Sequence, residues 1–412
     1  MKDQTYRVYG YRWVVLGVFM LVNLVVQMLW ITYAPITGPA AEFYRVTDLQ
    51  IGTLAMSFMI TYVFLSFPAS WVIDKYGFRV AVSIGAVFMA VFSIARGLVG
   101  ANYGLVLACS VGIAIGQPFL MNSWTKVPAN WFAQNERATA VGLVTLANLL
   151  GTAVGFGLTP VLTEMLSISS VQLIFGVTAA IATLVFIILS RERPSTPPCP
   201  PEMEVRSLML DGLKQIVKSA PFWMFVIVYF IGLGLFNGIS TWIENIIRLR
   251  GFTPTDAGTM GTVMIVGGVI GAVIIPSISD KNHKRQRYML SGVLLAIPGL
   301  IGITFATSLW LLLLSAFWMG FFLISVAPVG LQYVAEVTYP APEGTSNGII
   351  QLFGQVSVVY VYIMEAMQSA DGAFTPSLVL SAVLLMVLGV IITKMKDPVP
   401  HTIPAAALPT QP

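Results

Sequence analysis

Asn23, Gln27 and Trp30 recur at i, i+4 and i+7, so on a helix they share one face. Asn237, Thr241 and Glu244 repeat that spacing in the second half of the chain. Asn347, Gln351 and Gln355 make a third stripe, and Thr145, Asn148 and Thr152 a fourth. Each stripe lies inside a long apolar run, where an amide or hydroxyl is costly unless it pairs or meets water. Two uses fit: hydrogen bonds that join helix to helix, or the lining of a polar cavity for a small solute. Four stripes on four separate runs favour the cavity. The chemistry would be recognition rather than bond making. Amides can bond a hydroxyl, and ring faces of Trp30 and Tyr33, with Phe119 or Tyr360 as further candidates, can hold a small organic cation at about 0.5–2 kcal/mol per ring. The alternative for Trp30 and Tyr33 is an interfacial belt at the end of their run. Trp13, Trp71, Trp131 and Trp310, at run edges, are assigned to that belt outright.

Other chemistries lack their residues. The acids within or beside apolar runs (Glu164, Glu244, Glu336, Glu343 and Glu365) fall near run ends, as does Arg96. Proton-coupled carriers usually keep a carboxylate or histidine at mid-membrane depth, so an empty middle favours facilitated diffusion, with Glu244 as the candidate exception for coupling. The histidines, His283 and His401, fall in a loop and the tail, leaving no imidazole in a run to ligate haem iron. The 19 methionines read as apolar filler. No HExxH or Ser-His-Asp arrangement stands in the runs, so no enzyme, metal or cofactor is expected. Cys109 lies in a run and Cys199 in the central break, which suggests no disulfide framework.

The elements that must carry these stripes are transmembrane helices. With 57% hydrophobic and 10% charged residues and a mean hydropathy of +0.83, the chain is not a soluble domain, which carries about 25% charge. Twelve apolar runs are each long enough to cross a hydrocarbon core about 30 Å thick. They are 13–38, 50–73, 79–99, 101–123, 137–162 and 168–190, then 221–247, 257–279, 287–306, 309–335, 344–368 and 374–394. The fold class is an all-α membrane protein with a six-helix half at 1–190, a linker at 191–220 and a second half at 221–396. The linker is rich in proline and charge and is expected to end in an amphipathic helix over 203–218. Residues 397–412 read as a disordered tail. The first run is too long for a cleaved signal peptide and is expected to stay. Of 22 Lys and Arg, all but Arg45, Arg96, Arg248 and Arg250 fall in segments on the side of the termini and linker, which the positive-inside rule makes cytoplasmic. That bias explains the basic pI without a nucleic-acid partner. The expected partners are the bilayer and a small-molecule substrate, and the expected state is a monomer in the plasma membrane.

The loop after the second run, SWVIDKYGFR, and the one after the eighth, PSISDKNHKR, share an Asp-Lys pair, Asp74-Lys75 and Asp280-Lys281, each closing a helix and each followed by a basic residue, Arg79 in the first loop. This resembles the signature loop of the major facilitator superfamily, where an acid and a base latch neighbouring helix ends. The family's leading glycine is Ser70 in one copy and Pro276 in the other. The resemblance implies two six-helix halves that rock about a central site in alternating access. WITY, FPASWVID, TKVPANWF and EVTYPAPEGTSNG together resemble the feline leukaemia virus subgroup C receptor-related family, solute carrier family 49. Its members are described as transporters of choline and ethanolamine and, earlier, as haem exporters. By that resemblance Trp30, Gln117 and Gln355 would be site residues. An aromatic expected on the seventh helix is Asn237 here, and Glu244 stands in place of an amide, which leaves the substrate open. Lys126 and Arg137 of one half, with Glu336 and Glu343 of the other, are expected at a cytoplasmic gate, with Lys126 and Glu336 meeting when the cavity opens outward. The function expected is transport of a choline- or ethanolamine-like amine. The alternatives are a haem or porphyrin exporter, a proton-coupled carrier of a small organic anion, and, from another class, a non-transporting receptor.

Overall fold

The computed structural model describes residues 6–198, 216–282, 284–338 and 343–397, and no side chain is described for Asn135, Glu343, Gly344 or Thr345. The expected amphipathic helix at 203–218 lies almost wholly outside the described residues, as do His283, His401 and the tail beyond Asp397.

The first half comprises α1 (Arg12–Ile31), α2 (Thr37–Tyr44), α3 (Asp48–Tyr76), α4 (Phe78–Leu98), α5 (Tyr103–Met121), α6 (Lys126–Trp131), α7 (Arg137–Met165) and α8 (Ile168–Leu189). The second comprises α9 (Ala220–Thr241), α10 (Ile243–Arg248), α11 (Pro254–Asn282), α12 (Arg285–Phe305), α13 (Leu309–Val337), α14 (Glu343–Val356), α15 (Val358–Ala366) and α16 (Thr375–Lys394). Twelve spans among the described residues are long and apolar enough to cross a membrane. Their starts follow capping chemistry. Thr47 and Gln50 form a capping box at α3, and Asn102, Ser167, Ser219 and Ser308 each accept a backbone N–H in the first turn of their helix.

Three spans are broken where one continuous run was expected. The first passes through a 3-10 turn (Ala34–Ile36) before α2, the seventh turns at Trp242 into α10, and the eleventh breaks at Ser357 between α14 and α15. Apolar composition reports burial in lipid or protein but is blind to such turns.

The helix pairings repeat between halves. In the first, α1 packs on α7, α3 on α5, and α4 on both α5 and α8. In the second, α9 packs on α14 and α15, α11 on α13, and α12 on both α13 and α16. Close approach rests on missing side chains. A Cβ on Gly151 of α7 would sit 2.0 Å from the Leu24 carbonyl oxygen of α1, and one on Gly320 of α13 would sit 1.9 Å from that of Met264 of α11. The halves meet through α7 with α11 and through α3 with α14.

One belt assignment is corrected. Trp13, Trp71 and Trp310 are exposed, but Trp131 is 3% exposed and donates its indole N–H to the Arg191 carbonyl at 3.1 Å. α6 lies under the first residues of the linker, so a position at a run edge was no guide to exposure.

Candidate functional site

Trp30 sits in the last turn of α1, just before the chain breaks, and is buried. Its indole N–H donates to the Ala55 carbonyl of α3 at 3.2 Å, which fixes the ring against the second span. It is therefore not a belt residue. One turn along α3, Gly52 is covered by Trp242: a Cβ there would lie 2.4 Å from the Trp242 ring. Trp242 is fully buried, donates to the Val361 carbonyl of α15 at 3.0 Å, and packs on Phe374 with centroids 5.5 Å apart. Two tryptophans, one from each half, thus flank the same stretch of α3.

Of the predicted polar stripes, some members are consumed inside the protein and others are free. Asn23 donates to the Phe19 carbonyl at 2.9 Å and accepts the Trp124 indole N–H at 2.7 Å, so its amide is spent on structure. Gln351 accepts the Tyr229 hydroxyl at 2.5 Å. Thr145 and Thr152 donate back to carbonyls of their own helix. By contrast Gln27, Asn237 and Gln355 are buried and their side chains have no hydrogen-bond partner among the described residues. The Gln117 Oε1, Asn148 Oδ1 and Thr241 Oγ1 are buried and unpaired as well, and Asn347 Oδ1 shares that condition. Buried amides are normally satisfied. Unpaired buried polar atoms thus stand on α5, α7, α9 and α14, and Gln172 of α8 carries them as well.

Tyr33 is not brought to this set. Its hydroxyl shares a 3.0 Å hydrogen bond with Tyr44, and its ring face is covered by the Arg96 guanidinium at 5.4 Å. The ring is thus occupied by the protein's own cation. Tyr360 likewise shares its hydroxyl with Ser381.

Glu244 is found in an unexpected role. It is 2% exposed, accepts the Gly38 backbone N–H at 3.2 Å, and pairs with Arg248 at 3.5 Å. Arg248 also pairs with Asp48 at the start of α3, and Asn245 donates to Asp48 at 2.7 Å. Nearby, Thr255 bonds Glu164, and Thr262 donates to the Ala153 carbonyl at 3.2 Å. Apart from the Glu244–Arg248 pair within α10, these contacts join one half to the other. Sequence reasoning missed Asp48, Arg248, Asn245 and Trp242, because each reads in isolation as a cap, a loop cation, a loop amide and an apolar core residue. It also missed Tyr62, which donates to Asn122 at 2.7 Å while Asn122 bonds Ser66 and Ser70. That signal was available, since Tyr62, Ser66 and Ser70 are spaced at i, i+4 and i+8.

On the linker face the ion pairs seen among the described residues lie within one half. Lys126 pairs with Asp74 at 3.4 Å, Arg12 with Glu136 at 2.5 Å, and Arg285 with both Asp280 and, at 2.9 Å, Glu336. The acid-base latch expected in each signature loop is present as Asp280–Arg285. In the first half it is absent: Arg79 reaches the Ile187 carbonyl instead, and its backbone N–H is taken by Glu192. Lys126 and Glu336 are not paired in this conformation. Arg137 holds the Phe132 and Ala129 carbonyls, and the Glu343 side chain lies outside what is described.

The architecture has solved counterparts. A crystal structure of a bacterial homolog to the human lysosomal transporter Spinster, in an inward-facing and unoccupied conformation, superposes with a TM-score of 0.72 over 94% of this chain and 96% of that one, at 16% identity. In sequence, the chain is 29% identical over 383 residues to the choline/ethanolamine transporter flvcr2a of Danio rerio, covering 87% of this chain and 81% of the relative. It is 28% identical to the human choline/ethanolamine transporter FLVCR2, over 84% of this chain and 69% of the relative. It is also 29% identical to solute carrier family 49 member A3 of Danio rerio, over 88% and 80%. The model of the Major Facilitator Superfamily matches residues 16–362. With twelve apolar spans, a repeated helix pairing and that match over most of its length, the chain belongs to the Major Facilitator Superfamily of transporters and is not an enzyme.

Proposed function

We propose that this transporter carries a small amine-alcohol cation of the choline or ethanolamine type by facilitated diffusion, through alternating access. The observation that carries the reading is the set of unpaired buried polar atoms at Gln117, Asn148, Thr241 and Asn347, together with the buried residues Gln27, Asn237, Gln355 and Trp30. Neutral amides can bond a substrate hydroxyl, and a tryptophan face attracts an ammonium by about 0.5–2 kcal/mol. The relatives' names point to the same substrate class. A proton carrier is not needed, and Glu244, the acid of the Asn237–Thr241 stripe, is held by Arg248 and Gly38. Asn237, in place of the expected aromatic, weakens the cage for a quaternary ammonium and favours a substrate with more hydrogen-bonding groups.

The linker face is taken as cytoplasmic, on the charge bias of the loops, and the membrane as the plasma membrane. The outer side is then the one latched by Asp48, Glu244 and Arg248. Rocking to the outward-facing state breaks that latch, and we propose that Lys126 and Glu336 exchange their present partners for each other as the inner side closes. The test is a thermal-shift screen of the purified protein against choline, ethanolamine, amino acids, organic acids and haem, because a bound ligand stabilises by mass action. Choline or ethanolamine should raise the melting temperature in a dose-dependent way. Stabilisation by organic acids or haem alone would replace this reading with one of its rivals.

A further inference from the structure

Arg96 stands in the last turn of α4, away from the linker, and is 1% exposed. Both of its terminal nitrogens reach the Leu29 carbonyl, each at 3.5 Å, and its guanidinium lies 5.4 Å from the centre of the Tyr33 ring. Its Nε–H is buried and has no partner among the described residues. The titratable groups within its electrostatic reach are Tyr33, Tyr44 and Cys109, and no carboxylate bonds it among the described residues.

A buried guanidinium is costly unless something of opposite sign faces it. Here the opposite sign comes from the backbone. α1 ends at Ile31, inside the first span, so the carbonyls of its last turn point into protein rather than water. Thr32 donates to the Met28 carbonyl at 2.7 Å, and Arg96 takes the next one, that of Leu29. A helix C-terminus carries about half a negative charge. In transporters built on broken helices, such ends are places where a cation settles. In this chain a tethered cation already sits there, and it sets a whole charge against a partial one. The surplus is positive.

That surplus lies close to the proposed solute site. The Leu29 carbonyl belongs to the peptide that joins Leu29 to Trp30, so bond lengths place the guanidinium about 10 Å from the indole ring. The space between them is filled by buried groups, where charge is poorly screened. We propose that Arg96 determines the charge preference of the Trp30 site. It offsets the cation-attracting end of α1, so that the ring holds an amine-alcohol cation loosely enough to release it. The role rests on the reading of Trp30 as a solute contact, and Arg96 acts on the solute through space without touching it.

The test compares choline with 3,3-dimethyl-1-butanol, its neutral isostere with carbon in place of nitrogen. Both compete with radiolabelled choline on the purified full-length protein. The ratio of the two affinities reads charge and cancels losses of shape or folded yield. Arg96→Gln should shift the ratio toward choline by about tenfold, the effect of a unit charge at about 10 Å and an effective dielectric constant of about 20. Arg96→Lys keeps the charge and should leave the ratio near wild type. Cys109→Asp places a carboxylate beside Arg96 without removing it and should shift the ratio in the same direction, whereas Cys109→Ser should not. An unchanged ratio in Cys109→Asp overturns the proposal even where Arg96→Gln fails to fold. A shift in Arg96→Lys equal to that in Arg96→Gln overturns it as well, since packing rather than charge would then be responsible. Choline bound by wild type with the ratio unmoved in both charge variants removes the role of Arg96 and leaves the Trp30 site standing. No displaceable choline on wild type overturns the site, and this role with it.

Discussion

At the residue scale, hydrogen bonding separates stripe members tied to the protein, such as Asn23 and Gln351, from Trp30 and the amides proposed to meet the solute. Trp30→Ala should abolish uptake while folded yield is kept, and Trp30→Phe should retain part of it; normal transport by Trp30→Ala would remove the ring from the site. Gln355→Ala and Gln27→Ala should each raise KM several-fold, since a lost hydrogen bond is worth about 0.5–1.5 kcal/mol. Asn23→Ala should act differently: its amide is tied to Phe19 and Trp124, so it should lower stability and leave KM near wild type. Comparing KM with melting temperature across these three variants checks the division. The stripes were legible because helical spacing and polarity are local properties. Which members were free was not legible, because Asn23 finds its partner on the chain segment after α5 and Gln351 finds Tyr229 on α9, contacts that only the packed structure brings about.

At the element scale, two of the three broken spans carry the latch opposite the linker. The breaks after α1 and α9 let α2 and α10 turn toward one another, so that Gly38 meets Glu244 and Asp48 meets Arg248 and Asn245. Hydropathy showed the apolar runs but not the turns; Pro35 was the local signal for the first, whereas Trp242 is as apolar as its surroundings. The same burial hid Trp242, whose role depends on a glycine facing it. Gly52→Leu should wedge the outer side open, because the new side chain must occupy the space of the Trp242 ring. Spin labels on the ends of α3 and α10 away from the linker should then report longer distances than in wild type. Asp48→Asn should act in the same direction and more mildly. Its pair with Arg248 is partly exposed, so a loss of about 0.2–1 kcal/mol corresponds to a shift of up to about fivefold in the ratio of the two states. An unchanged distance distribution in Gly52→Leu would show that the seal lies elsewhere.

At the scale of the whole molecule, the repeat is written twice, in sequence and in packing. The signature loops are its clearest local trace, yet only the second forms the acid-base latch, because Glu192 of the linker takes the start of α4 in the first. The linker therefore belongs mechanically to the first half over the residues that are described. The inner gate is expected to form on rocking, when Lys126 leaves Asp74 and Glu336 leaves Arg285. Lys126→Glu or Glu336→Lys alone should shift the population toward the inward-facing state, and the double exchange should restore it in part. Distances across the linker face, measured in the outward-facing state, report this directly, and unaltered distributions in both single variants would assign the gate to other residues.

We propose that a neutral, amide-lined site passes an organic cation without proton coupling. The most direct test follows radiolabelled choline, and ethanolamine in parallel, into proteoliposomes with and without an imposed pH gradient. The site described here predicts saturable entry of at least one of the two that stops when inside and outside concentrations are equal, whatever the gradient, and that is lost in Trp30→Ala. Accumulation above the outside concentration, driven by the pH gradient and abolished in Glu244→Gln, would contradict the account and make Glu244 the proton carrier.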